Sequence, residues 1–200
     1  MSGWTIHSGQ ALAFDRASVD TDQLIPARFM STPRAEGYGD FLLFDLRHDE
    51  DGALLPDFPL NSNPQASVLV TRENFGSGSS REAAVYALVD FGIRAVFAPS
   101  FGDIFASNAV NNGLLPARIA VSEADALIAA LGTGTQEARI DLAGLSATIG
   151  ATTLTFDLDP VWQQKLTHGW DDIDLTQNLG GEIAAYRDRI AATDPWRFPA

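Results

Sequence analysis

The sequence predicts an α/β domain, and three observations carry that prediction. Short apolar runs of strand length alternate with helical periodicity through the middle of the chain, glycines punctuate the joins, and no cysteine is present from which a disulfide scaffold could be built. The segment "WTIHSGQALAF" alternates as a strand does, and "ASVDTDQLIPARF" follows as a polar loop entering an apolar turn. Residues 31–65 then form a long excursion, punctuated by proline and glycine and without periodicity. Loops of that length inside a compact domain are uncommon and usually face a ligand or a partner. "ASVLVT" is a buried strand run. "SREAAVYALVDFG" places Ala84, Leu88 and Phe91 on one helical face, with Gly92 as its stop. "RAVFAPS" is the next strand, "FGDIFASNAVNNG" a helix ending at Gly113, and "LLPARIAV" a further strand. The order strand, loop, helix, strand, helix, strand implies a layered sheet with right-handed crossovers.

After this core Ser122 is expected to cap the helix "EADALIAALG", with Glu123 and Asp125 in the first turn where the helix dipole favours acid. "ARIDLAGLSATIGATTLTFDL" reads as two or three short strands turning at Gly144 and Gly150. "DPVWQQKLTHG" has Pro160 just inside a helix start and Gly169 just past its end, and "EIAAYRDRIAA" is a final helix. No repeat or linker divides residues 1–200, so one domain is expected.

Composition narrows the function. The 26 acidic against 13 basic residues leave a net charge of -13, which opposes binding to nucleic acid or to an anionic membrane surface. No run approaches the ~20 apolar residues that span a bilayer, and no basic start precedes an apolar leader. A cytoplasmic protein is therefore expected. Without cysteine the chain offers no thiolate to zinc or to an iron-sulfur cluster, and His7, His48 and His168 lack metal-ligand spacing.

The informative stretch is "ENFGSGSSREAAVYAL", between a strand and a helix. It misses three familiar patterns. Arg81 stands where the third glycine of G-x-G-x-x-G belongs, no lysine completes a P-loop, and Glu82 replaces the last glycine of a nucleophile elbow. Ser79 and Glu82 have capping-box spacing, which predicts Ser79 as a helix N-cap. Capping alone does not call for Gly76, Ser77, Gly78, Ser80 and Arg81 together. Bare backbone, a helix N-terminus and a guanidinium each favour an anion, so a carboxylate or alkoxide site is inferred.

These residues carry a resemblance. "ENFGSGSSREAAVYAL" resembles the G-S-S-R-E-H-A motif of the swivelling domain of the aconitase superfamily. "VDTDQLIPARF", "APSFGDIFASNAVNNGLLP" and "GWDDIDLT" resemble matching segments of the 3-isopropylmalate dehydratase small-subunit family, in the same order from Val19 to about Tyr186. The resemblance implies a layered β/β/α swivelling domain like the C-terminal domain of aconitase. It also implies a role in leucine biosynthesis, in a hydro-lyase that converts 2-isopropylmalate to 3-isopropylmalate through isopropylmaleate. In that family a large subunit carries a 4Fe-4S cluster, and the small subunit completes the site without binding metal. By resemblance Ser79 is the catalytic serine, acting as an alkoxide base, and Ser80 and Arg81 hold a substrate carboxylate. Asp22 orients a partner across the cleft, and Arg34 is a candidate for a second carboxylate contact. Two positions depart from the pattern: Ser77 replaces a frequent cysteine, and Ala83 replaces the usual histidine, which bears on proton handling. A paralogous subunit acting on citramalate, homocitrate or dimethylmalate, and a non-catalytic subunit of the same fold, are the other readings. Retention of Ser79, Ser80, Arg81 and Asp22 together counts against the last.

Overall fold

The computed structural model describes residues 3–197. Strand β1 (Ile6–Phe14) is followed by the single helical turns α1 (Thr21–Leu24), α2 (Phe44–Arg47) and α3 (Pro59–Ser62). Then come β2 (Ala66–Thr71), α4 (Glu82–Phe91), β3 (Ala95–Ala98), α5 (Asp103–Asn111), β4 (Leu115–Arg118) and α6 (Val121–Leu131). Strands β5 (Thr135–Asp141), β6 (Ser146–Ile149) and β7 (Thr152–Thr155) lead to α7 (Pro160–His168), α8 (Asp172–Asn178) and α9 (Gly180–Thr193).

All seven strands join one sheet in the order β4-β3-β2-β1-β5-β6-β7. Strand β1 sits at its centre, parallel to β2 on one side and antiparallel to β5 on the other. The parallel half is apolar on both faces, which is why its strands read as continuous apolar runs. Leu12, Phe14, Leu69 and Val96 face α4, α5 and the long excursion. Their neighbours Ala11, Ala13, Val68, Val70 and Phe97 face the other way. There they pack with Leu127 of α6 and with Ala138, Ile140, Ala147, Ile149 and Leu154 of β5, β6 and β7, so the antiparallel flank curls over that face. The curled sheet thus carries α4 and α5 on one face and closes over the other with α6, in keeping with the layered α/β swivelling domain that the resemblance implies.

The excursion at residues 31–65 is anchored. Tyr38, Leu42, Leu43 and Leu60 are buried in the helix-side core. Buried Arg47 donates from Nε to the Asn61 side-chain oxygen at 2.8 Å and from Nη1 to the Leu42 carbonyl at 3.1 Å, with its guanidinium 4.8 Å from the centre of the Phe91 ring. Irregular backbone is tolerated here because side chains satisfy it.

Two expected caps are corrected. Helix α4 begins only at Glu82, with Arg81 at the N-cap position and no side-chain cap, so the Ser79 capping box does not form. Its acidic half is diverted, since the Glu82 carboxylate accepts from the Asn112 amide at 2.9 Å. Likewise Ser122 lies inside α6, not before it. The chain enters that helix at Val121, and Glu123 accepts from the Ala120 amide at 2.8 Å. By contrast Pro160 and Gly169 bracket α7 as expected, with Asp159 as its cap.

His7 provides a pH test of this core. It is half-buried on β1, within 2.9 Å of the Ser67 hydroxyl, and burial together with the nearby Arg94 charge holds its pKa below the ordinary 6.5. As pH falls through about 6.5 the unfolded chain binds the proton first, so His7's contribution, complete above that pH, is lost toward acid. Urea midpoints should fall over this range, and the His7→Gln variant should fall less steeply. Equal slopes for the two proteins would show that His7 plays no such part.

Candidate functional site

Three loops leave the carboxyl ends of the parallel strands β1, β2 and β3, the edge at which open α/β sheets bind ligands. The serine loop after β2 lies in the middle and is stitched to both neighbours. The Gly76 amide donates to the Val19 carbonyl at 2.7 Å, and the Thr21 amide donates to the Ser77 carbonyl at 2.9 Å. On the other side the Phe75 amide reaches the Ser100 carbonyl at 3.1 Å, and the Gly102 amide returns to the Phe75 carbonyl at 2.9 Å. Gly76 is required by both its backbone and its surroundings. Its φ is +71°, and a Cβ there would sit 2.1 Å from the Phe105 ring.

This stitching brings Asp22, Ser79, Ser80 and Arg81 together at the sheet edge. The Asp20 carboxylate caps α1 by accepting from the Gln23 amide at 2.7 Å. Asp22 is thereby left to accept from Nη1 of Arg81. The sequence expectation for Asp22 was a partner across the cleft, and within this chain its partner is Arg81. Buried Thr21 donates its hydroxyl to the Ser79 carbonyl at 3.1 Å, and that carbonyl also accepts from the Arg81 amide at 2.8 Å. Sequence reading missed Thr21, because nothing in "DTD" marks the middle residue as a contact to a loop 58 positions away. Ser79 and Ser80 are exposed, and among the described residues their hydroxyls take no hydrogen bond. The first helical amides of α4 open beside them, and α5 starts at Asp103 behind Gly102, also without a side-chain cap. Two helix starts without side-chain caps and one guanidinium give the edge a local preference for anions within a strongly acidic protein.

Arg34 is not part of this cluster. Its guanidinium forks onto Asp90, with Nη2 2.8 Å from Oδ1, and lies 4.4 Å from the centre of the Tyr86 ring. Asp90 also accepts from the Tyr38 amide at 2.7 Å. That junction is at the far end of α4, about 12 Å along the axis from Glu82 at 1.5 Å per residue.

Among the described residues no group of three or more His, Cys, Asp or Glu side chains is placed to hold a metal ion. No helix there is long and apolar enough to cross a membrane. Chemically, the edge can hold a carboxylate on Arg81 and Ser80 and can offer stabilised oxygen at Ser79, but it is open on the side away from the sheet.

Comparison with known proteins agrees with this architecture. Residues 1–122 match the family model described as the Aconitase C-terminal domain. The chain is 41% identical over 192 residues to the 3-isopropylmalate dehydratase small subunit of Shouchella clausii, covering 94% of this chain and 97% of that one. It is 43% identical over 199 residues to the small subunit of Geobacillus kaustophilus, at 94% and 98% coverage. Among solved structures, the 3-isopropylmalate dehydratase of Methanocaldococcus jannaschii matches with a TM-score of 0.66 and 29% identity, covering 91% of this chain and 99% of its own.

Proposed function

Because this chain belongs to the family of 3-isopropylmalate dehydratase small subunits, within the group defined by the Aconitase C-terminal domain, we propose that it supplies one half of a hydro-lyase site completed by a large subunit. The reaction is the leucine-pathway isomerisation of 2-isopropylmalate to 3-isopropylmalate through isopropylmaleate. The observation that carries this reading is the convergence of Asp22, Ser79, Ser80 and Arg81 on one open edge.

In the proposed mechanism Arg81, steered by Asp22, grips a substrate carboxylate with its free donors while the Ser80 hydroxyl completes the grip. Ser79, as the alkoxide, takes a proton from the substrate carbon. The C–H electron pair becomes the C=C bond as the C–O bond breaks, and the hydroxyl leaves with that bond's pair on the far side of the substrate, to an acid that the large subunit would supply. Rehydration runs these steps in reverse with proton and hydroxyl exchanged between the two carbons. A serine hydroxyl is far too weak an acid to ionise in water, so the amides at the α4 start and Arg81 must stabilise the oxyanion. A second carboxylate contact from Arg34 requires its guanidinium to leave Asp90.

This chain offers no thiolate, and among the described residues no acid or histidine cluster, so its residues do not fit an iron-sulfur group. We place the 4Fe-4S cluster on the large subunit, and the assembled enzyme in the cytoplasm. The relatives' names give no support to a paralogous hydroxy-diacid or to a non-catalytic subunit.

The test is anaerobic reconstitution with the large subunit, followed by a screen of 2-isopropylmalate, citramalate, homocitrate and dimethylmalate. Turnover of 2-isopropylmalate should be fastest, and the isolated chain should be inactive whatever iron and sulfide are supplied. Faster turnover of another diacid would reassign the substrate, and activity of the chain alone would remove the two-subunit site.

A further inference from the structure

Ser79 lies three residues before its helix, with no cap and no hydrogen bond to its side chain, yet a base must be held in place. From the contacts of its main chain we infer that Thr21 is a positioning residue for Ser79. This inference rests on the reading of Ser79 as the base.

Thr21 is 1% exposed, and it touches the serine loop twice. Its amide, bonded to the Ser77 carbonyl at 2.9 Å, docks the two loops. Its hydroxyl, 3.1 Å from the Ser79 carbonyl oxygen, acts on the peptide that follows the base. With the Arg81 amide at 2.8 Å, that oxygen has two donors, which fixes the plane of the Ser79–Ser80 peptide. All peptides in the described chain are trans, and in a trans peptide the carbonyl and the next N–H point in opposite directions. Pulling the Ser79 carbonyl toward Thr21 therefore turns the Ser80 N–H away from Thr21. Among the described residues that N–H has no acceptor. It is left available to the negative charge that develops beside it when Ser79 is ionised, the role of an oxyanion-hole donor. The hydroxyl thus acts on catalysis through the peptide, while the loops are docked by main-chain bonds that do not use it, those of the Thr21 amide to Ser77 and of the Gly76 amide to Val19.

That division of labour makes Thr21→Val the informative variant, because valine keeps the shape and the amide and removes only the hydroxyl. In the reconstituted enzyme kcat should fall on the order of 10- to 100-fold, the scale of a small misplacement of reacting groups, with KM for 2-isopropylmalate little changed. Thr21→Ser should recover most of the loss, since it restores the donor. In a Ser79→Ala background, Thr21→Val should cost nothing further. An unchanged kcat in Thr21→Val, or an equal loss in both backgrounds, would overturn the inference while leaving Ser79 as the base. A fully active Ser79→Ala enzyme would remove the base itself and the inference with it. If Thr21→Val folds poorly, the comparison is made with Thr21→Ser and Thr21→Ala normalised to folded protein, and failure of serine to outperform alanine would equally overturn it.

Discussion

Replacing Ser79 with alanine is expected to lower turnover of the reconstituted enzyme by at least about 10²-fold, the low end of general-base loss. Its melting temperature should move by no more than about 2 °C, as for an exposed surface change. The structure separates the two effects cleanly. Were Ser79 an N-cap, alanine would cost ~1 kcal/mol of stability and confuse the result. Helix α4 instead begins at Glu82, and the Ser79 hydroxyl is exposed and unbonded among the described residues. Its main-chain bonds to Thr21 and Arg81 survive in alanine. Single-turnover kinetics on the reconstituted enzyme, alongside thermal denaturation of the free chain, checks both halves. A stable variant with normal turnover would eliminate Ser79 as the base.

The largest effect on stability is expected at Gly76. An alanine Cβ would lie 2.1 Å from Cγ of Phe105, a ring that packs edge-on against Phe75 with centroids 5.4 Å apart. The backbone there has a φ of +71°, in the left-handed region. Overpacking of a filled core costs about 1–3 kcal/mol, and left-handed backbone at a residue with a Cβ adds roughly 1–2 kcal/mol. Gly76→Ala should thus lower the melting temperature by roughly 4–20 °C, at 2–4 °C per kcal/mol for a chain of this size. It should also impair turnover, because the serine loop must shift to relieve the clash. Gly180→Ala, which meets nothing within 4 Å, is the control and should leave the melting temperature near that of the parent. Equal melting temperatures for the two variants would show that the loop is not held against Phe105.

How much of this was legible in the sequence differs between elements for physical reasons. The run "ASVLVT" coincides with β2 because a strand buried on both faces is predominantly apolar rather than alternating. Gly92 ends α4 with a φ of +113°, a conformation few other residues adopt. Local rules failed where a distant group competed for the same atoms. Spacing alone makes Ser79 a cap, because it cannot reveal that Asn112 takes Glu82 and Thr21 takes the Ser79 carbonyl. The excursion at 31–65 shows in the sequence as long and irregular, while its contribution to the core does not. Leu42 and Leu43 are buried side by side and Leu60 far from them, without a period to betray them. For the candidate site, Asp22, Ser79, Ser80 and Arg81 are legible as residues that come together because they lie in two short motifs. The pairing of Arg34 with Asp90 joins residues 56 positions apart and leaves no local trace.

The central position of β1 has a bearing on biosynthesis. Gln10 pairs with Ala66 on one edge of the strand and with Glu137 on the other. Strand β1 thus leaves the ribosome well before its second neighbour, β5. At 5–20 residues per second, roughly 6–25 s of translation separate the two halves of that pairing. During this interval the nascent parallel half, complete once β4 is out, carries an open strand edge along β1. Such an edge can recruit another chain. Ser8, Gly9 and Gln10 at the start of the exposed segment are poor promoters of that error, whereas Ala11, Leu12, Ala13 and Phe14 would favour it. Co-translational shielding of this edge, by a chaperone or by swift arrival of β5, is a demand that the topology places on the cell.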